Sequence, residues 1–103
     1  MKEIACAEIK TISGKALIEF YSEVCGVCAA VRRKLELLED GFRDWEFLMV
    51  NTSTNPLVAG EYSVFAVPTV LVMLEGRELR RWSRNFSIAE IREYMIRIDS
   101  LEP

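Results

Sequence analysis

Histidine is absent from the chain, which removes Ser-His and Cys-His dyads, mixed Cys/His zinc sites and c-type haem attachment as candidate chemistries. Cysteine is scarce: three residues, Cys6, Cys25 and Cys28, an odd number that argues against a disulfide framework. Three prolines and five glycines are too few for a collagen-like or linker-rich chain, and no repeat or low-complexity tract divides it. Thirteen Lys and Arg against sixteen Asp and Glu leave a net charge of -3, a weakly anionic surface that would not attract a polyphosphate, so nucleic acid is not expected as a partner. The longest apolar stretch, Val64 to Leu74, carries Pro68 and Thr69 in its middle and is too short and too broken to cross a bilayer. At the N-terminus Glu3 and Glu8 interrupt the apolar residues before the hydrophobic run of a signal peptide could form. A cytoplasmic chain with no membrane contact is expected.

What is present is a globular composition: 103 residues, 50% of them hydrophobic and 28% charged, enough for one domain over 1–103 with a single core. Ile4, Ala5, Ile9 and Ile12 share a helical face before Ser13-Gly14, which suggests a short first helix. Ala16 to Tyr21 is an apolar run with one acid, Glu19, inside it, the pattern of a strand covered on both faces. From Cys25 to about Glu39, Cys28, Val31, Leu35 and Leu38 recur at helical spacing, with Arg32, Arg33, Lys34 and Glu36 filling the outer face. Glu46 to Val50 reads as a strand and Pro56 to Tyr62 as a short helix opened by its proline. Val70 to Leu74 and Arg77 to Trp82 read as a hairpin turned at Glu75-Gly76. Ser87-Ile88-Ala89-Glu90 is a capping box in front of a last helix to about Ile98. Alternating elements of this kind favour a small α/β sheet with helices on both faces, helix-joined strands pairing in parallel and the hairpin supplying an antiparallel edge.

Cys25-Gly26-Val27-Cys28 follows a strand and opens a helix. Unpaired amides and the dipole at a helix mouth stabilise a thiolate, so Cys25 is the expected attacker, with a depressed pKa. Cys28, one turn further in and on the face of Val31 and Leu35, is the expected resolving thiol. A bond between cysteines three apart removes little unfolded-chain entropy, so redox exchange explains the pair better than stabilisation does. A metal clip would have only Cys6 to add, short of four zinc ligands, and two inert packed cysteines remain the plain alternative. Glu19, on the buried strand six residues before Cys25, should have a raised pKa and could accept the proton of Cys28. Its alternatives are a solvated stretch or a pairing with a lysine such as Lys15. Val67-Pro68-Thr69 reads as a rigid turn into a strand. Val24, Val27 and Val67 could form an apolar contact area around the Cys25 sulfur, or simply be scattered surface valines. Cys6 reads as a small apolar residue, Trp45 and Trp82 as packing at strand ends, and Arg80, Arg81 and Arg84 as a solvated basic face.

Phe20-Tyr21-Ser22-Glu23-Val24-Cys25-Gly26-Val27-Cys28, then Val67-Pro68-Thr69, then Gly76 resemble the thioredoxin family, over nearly the whole chain from Gly14 to Ile98. The resemblance implies a thioredoxin-like α/β fold: a central mixed four-stranded sheet, with a reduced fifth strand at most, flanked by helices on both faces. It implies that Cys25 attacks substrate disulfides and Cys28 releases the product. It also implies that Pro68 is cis against the pair, that the backbone at Val67 pairs with substrate as a short strand, and that Glu19 stands for the family's buried acid, usually Asp. Val24, Gly26 and Val27 complete the implied substrate surface. Several positions depart from the family pattern: Val24 replaces its Trp, Val27 its inter-cysteine Pro, Met49 a lysine beside the acid and Arg33 the helix-kinking Pro, while Arg84 stands near its groove glycine. The implied partners are protein disulfides and a separate thioredoxin-reductase-like electron donor, with the chain a monomer and neither organic cofactor nor metal required. Glutathione use is disfavoured because the anchoring glycine pair is missing. Two other readings stay open: a thioredoxin-like binding or scaffold module whose pair is a relic, and a metal-handling module that adds Cys6 or a second chain.

Overall fold

A computed structural model describes residues 1–101. Its strands are β1 (Lys2–Glu3), β2 (Lys15–Tyr21), β3 (Trp45–Asn51), β4 (Thr69–Leu74) and β5 (Arg77–Ser83), and its helices α1 (Gly26–Leu38), α2 (Val58–Tyr62) and α3 (Ile88–Leu101), with 3-10 turns at Cys6–Thr11 and Glu39–Gly41. They form one five-stranded mixed sheet in the order β1-β3-β2-β4-β5. The reduced fifth strand is therefore present, as a two-residue β1 that pairs Lys2 with Leu48 and Glu3 with Met49.

β2 is the central strand, and the period of two splits its side chains between two layers. Ile18 and Phe20 join Ile9, Val50, Val58 and Leu71 under the Cys6–Thr11 turn and α2. Leu17 joins Leu35, Val70, Val72, Ile91 and Met95 under α1 and α3. Both faces are thus covered, which is why β2 reads as a continuous apolar run. α3 begins at the expected capping box: the Glu90 amide donates to Ser87 Oγ at 3.2 Å and the Ser87 amide to Glu90 Oε1 at 3.1 Å.

Four expectations are corrected. The first helix is a six-residue 3-10 turn, Cys6–Thr11. Pro56 lies two residues before α2 begins at Val58, in the turn that leads into it. Arg81 is not on a solvated face: its guanidinium donates to Tyr62 O at 2.7 Å and Ser63 O at 2.9 Å, closing the end of α2 where Ser63 turns left-handed. The largest correction is one of direction. β2 and β3 pair in parallel through α1, but β4, reached through α2, pairs antiparallel to β2. Five helical residues rise only about 7 Å, too little to carry the chain back along a seven-residue strand. The connection stays at one end instead: the Thr52 amide donates to Tyr21 O at 2.8 Å as β3 finishes, and β4 starts with Thr69 opposite Phe20.

Candidate active site

That return brings the two motifs of the sequence to the same end of the sheet. The carbonyl of Tyr21, last in β2, accepts from both the amide and the hydroxyl of Thr52, the latter at 2.9 Å, so the strand is fastened where the chain leaves it. The chain then turns, with the Cys25 amide donating to Ser22 O at 3.2 Å, and enters α1. Cys25 is the N-cap: its backbone is extended (φ -95°, ψ 100°) and its Sγ accepts from the Cys28 amide at 3.1 Å. An otherwise unpaired amide of the first turn is thereby aimed at the sulfur of Cys25. Cys25 and Cys28 are joined as a disulfide, with Cα atoms 5.3 Å apart. Cys25 is half-buried and Cys28 fully buried, so a sulfur arriving from solvent meets Cys25 first.

In the second motif Pro68 is buried and the Val67-Pro68 bond is cis. The loop holding it is tied on both sides: Thr69 Oγ1 donates to Ala66 O at 2.6 Å, and the Arg84 amide donates to Pro68 O at 3.1 Å. Arg84 takes a left-handed φ of 65°, a conformation that costs a non-glycine residue roughly 1 kcal/mol. Val24 and Val27 are exposed by 95% and 60%, and Val67 is half-buried. Phe65, in the loop before Pro68, is exposed by 79%. Its place within the apolar stretch Val64 to Leu74 gave no hint that the loop turns it outward.

Glu19 lies on the α1 side of β2, with Met49 and Val70 as its lateral neighbours, and is wholly buried. Burial pushes its carboxyl up to about 7, against the opposing pull of Arg32. Its partner is not Lys15, which binds Asp99 at 2.6 Å, but Arg32, whose Nε donates to Glu19 Oε1 at 3.2 Å. Arg32 was expected on the outer face of α1. It follows Cys28 by one helical turn, however, and residues four apart share a face; that spacing was the available signal. Met49 does stand beside the acid, yet a counter-charge reaches it from α1. The guanidinium also lies over the Tyr21 ring, 4.2 Å from its centroid, and Tyr21 OH donates to Glu3 Oε1 at 2.7 Å. Burial and Glu3 together push the Tyr21 phenol up to about 12. Glu19 Oε2, also buried, meets no donor among the described residues.

Cys6 is buried in the opposite layer, its thiol pushed up by burial and by Glu61. Among the described residues no cluster of three or more Cys, Asp or Glu gathers to hold a metal ion, and no helix is long and apolar enough to cross a membrane.

Residues 5–97 match the family model described as Thioredoxin. A thioredoxin of Chlamydia trachomatis is 35% identical over 69 residues, covering 67% of this chain and 68% of that protein. Thioredoxin H2 of Arabidopsis thaliana is 30% identical over 74 residues, covering 72% of this chain and 56% of that protein. The X-ray structure of Fasciola hepatica thioredoxin superposes with a TM-score of 0.83 at 27% identity, over 94% of this chain and 98% of that one.

Proposed function

The chain belongs to the thioredoxin family and is a thiol-disulfide oxidoreductase, and within that activity we propose that Cys25 attacks protein disulfides and Cys28 resolves them. The observation that carries this assignment is the asymmetry of the pair: a half-buried sulfur capping a helix, bonded to a fully buried one a turn away. In the reduced protein the Cys25 thiolate attacks one sulfur of a client disulfide. That S–S bond breaks, and the other client sulfur leaves as a thiolate. Cys28 then gives up its proton to Glu19, directly or through water, and attacks Cys25 Sγ. The mixed disulfide breaks, the second client thiolate departs, and two electrons have passed from the cysteine pair to the client. The product is the Cys25–Cys28 disulfide.

Burial of Glu19 and its carboxyl near neutrality support its part in this scheme, since a proton carrier works best when its pKa lies close to the working pH. The client surface is made by Val24, Gly26 and Val27 on one side and Val67 and Pro68 on the other, with the Val67 backbone adding an extended client segment as a short strand. The chain works as a single domain and a monomer in the cytoplasm, and a separate reductase returns the two electrons. Thioredoxins in general act on protein disulfides and are reduced by a reductase, which supports this kind of partner.

Reduction of insulin disulfides by dithiothreitol, followed by turbidity, tests the assignment. The wild-type chain accelerates precipitation, and Cys25→Ser brings it back to the rate of dithiothreitol alone. Equal curves for the two proteins would reject the mechanism in favour of a binding module with an idle pair. Metal found in stoichiometric amount in freshly purified protein would favour the metal-handling reading.

A further inference from the structure

From the arrangement around β2 we infer that Arg32 is a positioning residue for the exchange reaction: it holds one oxygen of Glu19 and leaves the other, Oε2, as the atom that takes and gives the proton. The inference rests on the reading of Glu19 as proton carrier and adds the device that controls it.

A buried carboxyl needs its lone pairs met or its charge neutralised. Glu19 is wholly buried in the interior strand of the sheet, and its two oxygens are treated differently. Oε1 accepts from Arg32 Nε at 3.2 Å, while Oε2 meets no donor among the described residues. An arginine set bidentate would occupy both oxygens and lock the ionised form. Contact through Nε alone engages one oxygen and leaves the other to be satisfied by a proton. The guanidinium also lies over the Tyr21 ring, 4.2 Å from its centroid, and the Tyr21 hydroxyl donates to Glu3 on β1 at 2.7 Å. The two-residue β1 thus does more than extend the sheet: it fixes the ring on which Arg32 rests.

The charged groups that act on Glu19 are Arg32 and Glu36, both on α1; Tyr21 on β2 and Glu3 on β1 reach it through Arg32, Cys28 lies one turn before Arg32 on α1, and the lateral neighbours on β3 and β4 are the neutral Met49 and Val70. Burial pushes the carboxyl up, Arg32 opposes it, and Glu36 adds a smaller push upward. Arg32 therefore keeps the carboxyl low enough to be ionised, and so able to accept a proton, in part of the population at neutral pH. The step it serves balances as written above: the proton goes from Cys28 Sγ to Glu19 Oε2, the new bond is Cys28–Cys25, and the bond broken is that between Cys25 and the client sulfur.

The test uses the full-length reduced chain reacted with an aryl disulfide that releases a coloured thiolate, whose first release reports attack by Cys25 and whose second reports resolution by Cys28. In the wild type the second release follows a pH inflection near the Glu19 value of about 7. With Arg32→Gln the inflection moves up by roughly one unit, so resolution at neutral pH slows about fivefold and recovers at higher pH, while the first release is unchanged. Arg32→Lys restores most of the profile. Tyr21→Leu, which removes the ring but not the charge, moves it the same way by less. Carbon NMR titration of the Glu19 carboxyl reads the shift directly. A carboxyl titration unmoved by Arg32→Gln overturns the inference, as does an unmoved inflection when Glu19→Gln abolishes it. If Glu19→Gln leaves the inflection in place, the proton-carrier reading itself fails, and the role of Arg32 falls with it.

Discussion

The layer beneath α2 and the Cys6–Thr11 turn buries Ile9, Ile18, Phe20, Val50 and Leu71, with Cys6 as its thiol; the layer beneath α1 and α3 is as apolar, built of Leu17, Leu35, Val70 and Ile91, yet its helix α1 also sets Arg32 against the buried Glu19. Both layers belong to one sheet and share β2. The first keeps to the rule that buried groups are apolar or hydrogen-bonded, the buried hydroxyl of Thr69 opposite Phe20 donating to Ala66 O, and its thiol, pushed up by burial and by Glu61, is held in the unreactive form. The second breaks that rule at Glu19 and opens, at the end of the same strand, onto the Cys25–Cys28 pair. In the function proposed above, the proton transfer uses the one layer in which the fold keeps a carboxyl against its solvation cost.

If that division is right, damage to the two layers should have different signatures. The largest effect on stability should come from the layer beneath α2. Phe20→Ala should lower unfolding stability by roughly 4 kcal/mol in urea titration and leave the pH profile of exchange in the folded fraction where it was. A displaced profile would show that the layers are not separable. Next is the Glu19 layer, where stability itself should depend on pH. Glu19 titrates near its ordinary 4.5 when unfolded and at about 7 when folded, so between those values the folded chain holds a proton that the unfolded chain has lost. Stability therefore falls as pH rises through that window and is level above it, by about 3 kcal/mol in all. Glu19→Gln should flatten this part of the curve, and a wild-type curve already flat there would contradict the raised carboxyl. Ser87→Ala, which removes the cap of α3 without touching either layer's interior, should cost about 1 kcal/mol at every pH in the same measurement. Smallest of all, Cys6→Ala should cost about 1 kcal/mol or less and leave insulin reduction at the wild-type rate. A loss of activity there would give the layer beneath α2 a chemical role.

The legible and illegible parts divide along physical lines. The cysteine pair, its place at a helix mouth and the burial of Glu19 could be read from local pattern, because a strand covered on both faces and an amphipathic helix announce themselves within a few residues. The capping box at Ser87 and Glu90 was readable for the same reason. What escaped was long-range. The antiparallel return of β4 depends on which end of the sheet the short α2 leaves the chain, and no periodicity encodes that. Arg32 reads as one basic residue among Arg32, Arg33 and Lys34 until β2 is known to pass beneath α1, although its spacing from Cys28 was a usable hint. Arg81 looks solvent-facing until α2 ends beside it. Phe65 belongs by composition to a buried run and is turned outward by the loop that positions Pro68.

The central claim is that Cys25 makes the first bond to a client and Cys28 breaks it. Mixing the Cys28→Ser variant, freshly reduced, with a disulfide-bonded peptide and mapping the adduct by mass spectrometry tests it most directly. A peptide accumulating on Cys25, together with no stable adduct on the wild-type chain under the same conditions, is the outcome expected here. An adduct on Cys6, or none on the Cys28→Ser protein while the wild type still reduces the peptide, would contradict the account.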